Sequence, residues 1–108
     1  MATTYKILEQ AAPSANSDTT LYTVPSATST VVSTIAICNR GVSSTFRIAV
    51  RPTADALANK HYVVYDNYVN AGDSVFLTLG ITLQAAVLIV VRAGTADFSF
   101  SAFGSEIT

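Results

Sequence analysis

Thr45-Phe46-Arg47-Ile48-Ala49-Val50-Arg51 decides the fold. Phe46, Ile48 and Val50 alternate with Thr45, Arg47, Ala49 and Arg51. A period of two sets one face on a core and leaves the other polar. Upstream, Val31-Val32-Ser33-Thr34-Ile35-Ala36-Ile37-Cys38 varies the pattern. Val31, Ile35 and Ile37 share one face with Ser33, and Val32, Thr34, Ala36 and Cys38 form the other. Both faces are small or apolar, which predicts a central strand. Tyr5 to Leu8, Leu21 to Val24, Tyr62 to Tyr65, Val75 to Leu79, Val87 to Val91 and Phe98 to Ala102 bring the count to about eight strands. They are rich in Val, Ile, Thr, Phe and Tyr, residues that suit a pleated, half-buried surface.

Turn chemistry separates these runs. Ala12 to Asp18 is a polar loop, and Pro25 to Thr28 breaks the chain after the second strand. Asn39-Arg40-Gly41, Asn70-Ala71-Gly72-Asp73 and Ala93-Gly94-Thr95-Ala96-Asp97 are expected to be hairpin turns. Thr53 to Lys60 is expected to cross between sheets as a wide loop, with one short helical turn as the alternative. This spacing is that of a sandwich or small barrel. The expectation is one all-β domain over residues 1–108, an antiparallel β-sandwich of jelly-roll or immunoglobulin-like topology. Residues 1–18 are available as an N-terminal arm. Phe103 and Ile107 near the other end call for docking on this domain or on a neighbour.

The chain has 108 residues, enough for one domain. Hydrophobic residues are 50%, which excludes a disordered chain. Charged residues are only 12%, against roughly 25% in ordinary soluble domains. So sparse a charge fits a surface largely covered by neighbours, because buried interfaces are depleted in charge. The net charge is −1 and the six basic residues are spread along the chain, which argues against nucleic acid as a partner. The single cysteine, Cys38, allows no intramolecular disulfide. Met1 to Tyr5 carries no basic-then-apolar leader, so synthesis in a cytoplasm is expected. The longest apolar run, Ala85 to Val91, is far short of the roughly 20 residues that span a bilayer, so no membrane role is expected.

Candidates for chemistry are few. His61, the only histidine, precedes an apolar strand and reads as a solvated strand-end residue. No Gly-x-Ser-x-Gly elbow is present. Cys38, among Ile35, Ala36 and Ile37, reads as an inert buried thiol. One His and one Cys are too few for zinc. Asp66-Asn67 with Asn70 and Asp73 lacks the spacing of a calcium loop and reads as two turns flanking a short edge strand. Most carboxylates fall where turns are expected. The expectation is therefore no catalytic residue, no cofactor and no metal, and a protein that is not an enzyme. Tyr62, Tyr65 and Tyr68 raise a carbohydrate-binding module as an alternative. In an unbroken strand Tyr62 and Tyr68 share one face and Tyr65 takes the other. Ordinary sheet and interface aromatics are the favoured reading of the three.

A resemblance adds to this. The carrying residues are Leu21-Tyr22-Thr23-Val24-Pro25, then Val31 to Gly41, then Thr45 to Val50, with Ala71-Gly72-Asp73 and Leu79-Gly80-Ile81-Thr82-Leu83 in the second half. Over most of its length the chain resembles small β-sandwich virion structural proteins of tailed bacteriophages, of the cyanophage and marine-phage type. It departs from them at Ala85-Ala86-Val87-Leu88, where such proteins carry an acidic turn. The resemblance implies a virion component assembled in the host cytoplasm, with other virion proteins as partners. A capsid decoration (cement) protein is the leading expectation, forming a homo-oligomer, with a trimer favoured, over the major capsid protein lattice. A neck, baseplate or tail-fibre-associated protein is the structural alternative.

Overall fold

A computed structural model describes residues 2–108. Eight strands form two four-stranded antiparallel sheets. They are β1 (Thr3–Ala11), β2 (Thr19–Thr23), β3 (Ser29–Asn39), β4 (Ser44–Pro52), β5 (Tyr62–Val69), β6 (Ser74–Leu83), β7 (Val87–Ala93) and β8 (Phe98–Ile107). Sheet I runs β1-β8-β3-β6 and sheet II runs β2-β7-β4-β5. This interleaved order is the double Greek key of a jelly roll, which decides between the two expected topologies. No helix among the described residues is long and apolar enough to cross a membrane.

The alternation read from the sequence builds the core except on β3, where a register shift between Val32 and Thr34 puts Val32 in the core beside Ile35 and Ile37 and turns Val31, expected on their face, outward. Phe46 and Ile48 of β4, and Ile89 and Val91 of β7, point in from sheet II. Ile35 and Ile37 of β3, with Phe98 and Phe100 of β8, meet them from sheet I. Phe46 bridges the sheets, its ring centroid 6.4 Å from Phe98 and 6.1 Å from Phe100. β3 lies between β8 and β6, the central position its two apolar faces call for.

The three expected hairpins do not form. Each of those turns carries the chain from one sheet to the other, and only β4 and β5 are both consecutive and paired. Asn39 shows why. Its fully buried side chain donates from Nδ2 to the carbonyls of Val42 (2.8 Å) and Val69 (3.1 Å), and Oδ1 accepts from Gly41 N–H (3.0 Å). The turn is thereby aimed across the sandwich toward the end of β5. Turn residues reverse the chain without naming the next strand's partner. Thr53 to Lys60 also differs from expectation. It stays within sheet II as the β4–β5 connection and ends in a single 3₁₀ turn, Asn59–His61. The segment considered as an arm supplies β1, paired with β8 from Thr3 to Ala11, and a loop beyond it. Phe103 and Ile107 belong to β8 inside sheet I.

A polar tie closes one end of the sandwich. The Tyr22 hydroxyl, on β2, donates to Glu106 Oε2 of β8 (2.5 Å) and lies 2.9 Å from Thr30 Oγ1 of β3. Lys6 of β1 reaches Glu106 Oε1 at 3.3 Å. One tyrosine of sheet II is thus bonded to two strands of sheet I, with a third attached through the shared carboxylate. The Tyr22 hydrogen bond, aided by Lys6, holds the Glu106 carboxyl below its usual range against an opposing effect of burial. Burial first, then Glu106, pushes Tyr22 up to about 12.

The tie and the close strand packing can each be tested. Tyr22→Phe leaves a carboxylate short of a donor, so urea unfolding is expected to show a loss of about 1 to 3 kcal/mol. Linkage also sets a pH profile. The unfolded chain takes up the Glu106 proton first, so that contribution is present above about pH 5 and fades as pH falls through the lowered value. The unfolded chain releases the Tyr22 proton first, so stability declines between about pH 10 and pH 12. Tyr22→Phe should remove that alkaline decline. Separately, a methyl group on Gly104 would collide with the Val31 carbonyl of the neighbouring strand. Gly104→Ala is expected to cost about 1 to 3 kcal/mol in the same assay.

Candidate functional site

The two sheets turn different outer faces to solvent. On sheet I the register sets Tyr5, Ser105, Val31 and Thr82 in one cross-strand row. The next rows are Ile7, Phe103, Thr34 and Thr78, then Gln10, Ser101, Ala36 and Phe76. No side chain in these rows carries a charge at neutral pH. Three large apolar groups stand out from it: Tyr5 is 84% exposed, Phe76 70% and Ile7 52%. A shallow groove of about 470 Å³ lies between Tyr5 and Phe103, lined by Val31, Ser33 and Ser105 and by Lys6 of the edge strand β1. Of the sheet I carboxylates, Glu106 is used by the tie to Tyr22, and Glu9 lies on the edge strand β1.

The outer face of sheet II is built from charge and tyrosine. Arg47 of β4 and Arg92 of β7 are direct cross-strand neighbours. Like charges so placed repel, and each has its own counter-ion. Arg47 forks onto Asp66 (Nε to Oδ1 2.6 Å, Nη2 to Oδ2 3.3 Å), and Arg92 lies 3.6 Å from Asp18. The Arg47 guanidinium holds the Asp66 carboxyl below its ordinary range, and Asp66 raises Arg47 in return. A small polar recess of about 140 Å³ lies beside this pair, lined by Asn16, Thr45 and Gly94.

Beyond Asp66 stand the tyrosines. Tyr65 is 57% exposed and Tyr68 60%. The register of β5 against β4 shifts twice, between Phe46 and Ile48 and between Ile48 and Ala49. Asp66 takes a left-handed φ of 51° within that strand. The parity expected for an unbroken strand is lost. Tyr62 and Tyr65 meet edge to face, centroids 4.9 Å apart, instead of lying on opposite faces. The Arg47 guanidinium sits 4.1 Å from the centre of the Tyr65 ring. An open groove of about 410 Å³ runs along Asn59, Tyr62 and Tyr65.

The other sequence candidates are not brought together. His61 is buried, which corrects the expectation of a solvated strand end. Its Nδ1 accepts from Ala58 N–H (2.9 Å), and Nε2 lies 3.4 Å from Asp55 Oδ2. Both ring nitrogens hold the β4–β5 connection. Cys38 is half-buried, and by register it faces out of sheet I, opposite Ser74 and Ser99, instead of into the core. Asp66 lies inside β5, not in a turn, while Asp73 Oδ1 accepts from Ser74 N–H. Among the described residues no three His, Cys, Asp or Glu side chains cluster as a metal would require. The chain matches no family model, and no curated protein is significantly similar to it.

Sequence reading found the tyrosines but missed the arginine clamp on them. Its only signal was that Arg47 falls on the outward parity of the deciding strand. Arg47→Met is expected to leave the fold intact and to free the Tyr65 ring, seen as faster aromatic carbon relaxation in NMR. Arg47→Lys should not restore the order, because an ammonium lacks the planar fork.

Proposed function

We propose that this protein is a non-enzymatic structural component of a tailed-phage virion, a capsid decoration protein that binds the assembled shell through the outer face of sheet I. The observation that carries the reading is that face itself, four strands wide, uncharged, and set with exposed Tyr5, Ile7 and Phe76. Charge is what interface cores lack, and aromatic residues are what they gain. A free monomer has little use for so large an uncharged surface, whereas a lattice component covers it. The resemblance to small phage virion proteins points to the same class.

The mechanism is mass action. A protein that binds the assembled shell and not its separated subunits stabilises the shell by its binding free energy. A position over a junction of the lattice favours a trimer, with the face of sheet I toward the shell. The partner is then the major capsid protein. The charged outer face of sheet II points away from it.

The test uses two exposed positions. Phe76→Glu with Thr78→Lys changes only outward side chains, so the melting temperature should stay within a few degrees. Light scattering on the wild-type protein is expected to give a stable trimer. Added to isolated expanded heads, it should bind saturably and raise their heat resistance. The double variant should fold and fail to bind. Wild-type protein that ignores heads and binds purified tails would overturn the decoration reading in favour of a neck or tail position. A double variant that binds heads as well as wild type would remove the sheet I face from the argument.

A further inference from the structure

We infer that the groove along Asn59, Tyr62 and Tyr65 on sheet II is a binding site for a neutral oligosaccharide. The inference does not rest on the docking face, which lies on the other sheet.

The first ground is the cost of the arrangement. β5 departs from regular pairing twice within eight residues. Bulges re-aim side chains, and they recur beside functional sites. Asp66 holds a left-handed backbone within the strand, a conformation uncommon outside glycine though less costly for aspartate than for most residues. Strain of this kind persists where surrounding structure enforces it, and it concentrates at ligand sites. Here the outcome is specific: Tyr62 and Tyr65 are brought to one face and into contact.

The second ground is order in an exposed side chain. Tyr65 is more than half exposed, yet its ring is held by contact with Tyr62 and with the Arg47 guanidinium. Arg47 is itself fixed by the fork onto Asp66. A rigid exposed aromatic contributes contact area to a ligand with little further loss of conformational freedom. The core has no need of this device, since Tyr65 lies outside it.

The ligand class follows from what lines the groove. A pyranose ring has an apolar C–H face and a rim of hydroxyls. The Tyr62–Tyr65 corner offers apolar ring surface with two phenol groups, and Asn59 adds an amide able to donate and accept. Charge excludes a polyanion. The strip Asp18, Arg92, Arg47, Asp66 carries two positive and two negative groups in contact, which leaves no net field to attract one.

The chain contains no tryptophan, so its intrinsic emission is the sum over five tyrosines, and assignment to the groove comes from the amide signals. Purified protein is titrated with cellohexaose, chitohexaose and mannohexaose, and with a proline-rich hexapeptide as a competing chemistry. At least one hexasaccharide is expected to bind with a micromolar to millimolar constant and to shift the amide signals of Asn59, Tyr62, Tyr65 and Asp66. Tyr65→Ala should weaken it about tenfold with an unchanged circular dichroism spectrum. Tyr5→Ala, on the opposite face, should bind as wild type. Binding of none of the three sugars would overturn the inference. So would sugar binding that Tyr65→Ala leaves intact, or binding of the peptide in place of the sugars. None of these outcomes depends on whether the protein binds phage heads.

Discussion

The contact of Phe46 with Phe98 and Phe100 is the constraint on which the rest depends. These rings come from β4 and β8, the inner strands of opposite sheets. Neither sheet alone buries its apolar face, and with no disulfide within the chain the two must be held by packing and by a few buried polar ties. Once β4 and β8 are set face to face, side chains of alternate parity are committed outward wherever the pairing is regular. The surface is then fixed by the same alternation that makes the core. Tyr22, Glu106 and Thr30 close one end, and Asn39 closes the turn that leads from β3 to β4.

That commitment produces an asymmetric molecule. The outward parity of sheet I collects Ser, Thr, Ala and a few large apolar groups, and that of sheet II collects arginines, aspartates and tyrosines. A low overall charge therefore does not mean an evenly neutral surface. The sparse charge lies on the outer face of sheet II, at the loops, and on β1 and β8 of sheet I, where Lys6 and Glu106 pair with each other. A protein whose two sides differ this much in hydration is suited to lie between a lattice and solvent. The proposed docking face and the proposed sugar groove use the two sides separately.

Much of the fold was legible because burial acts with a period of two. Phe46, Ile48 and Val50 announced an inward row, and the two-sided apolar pattern of Val31 to Cys38 announced a central strand. Topology was less legible. Asn39, Asn70 and Gly94 mark chain reversals, but whether a reversal stays in its sheet depends on long-range bonds such as Asn39 to Val69. One site residue was readable in principle: Glu106 shares parity with Phe98, Phe100 and Ala102, so it had to point inward and find a partner. That the partner is Tyr22, 84 residues away, is a tertiary fact. The pairing of Tyr62 with Tyr65 was hidden for a different reason. Strand parity assumes regular pairing, and the irregularities of β5 are marked in the sequence only by Asp66 and Asn67, poor strand formers between tyrosines.

The free edges of the sheets carry the asymmetry one step further. An exposed edge offers unpaired backbone groups, and proteins blunt such edges with charge, brevity or bulges. β2 has five residues, β5 is irregular and carries Asp66, and β1 carries Lys6 and Glu9. β6 is ten residues long, without charge or proline, and is interrupted only at Gly80, whose φ is +62°. The least protected edge thus belongs to the sheet whose outer face is also uncharged. Two different kinds of exposure, of backbone along β6 and of apolar side chains at Phe76 and Tyr5, meet on the same sheet. A single covering partner would relieve both, whereas a partner on sheet II would relieve neither. That coincidence is the physical reason for placing the proposed assembly contact on sheet I and leaving the tyrosine groove open.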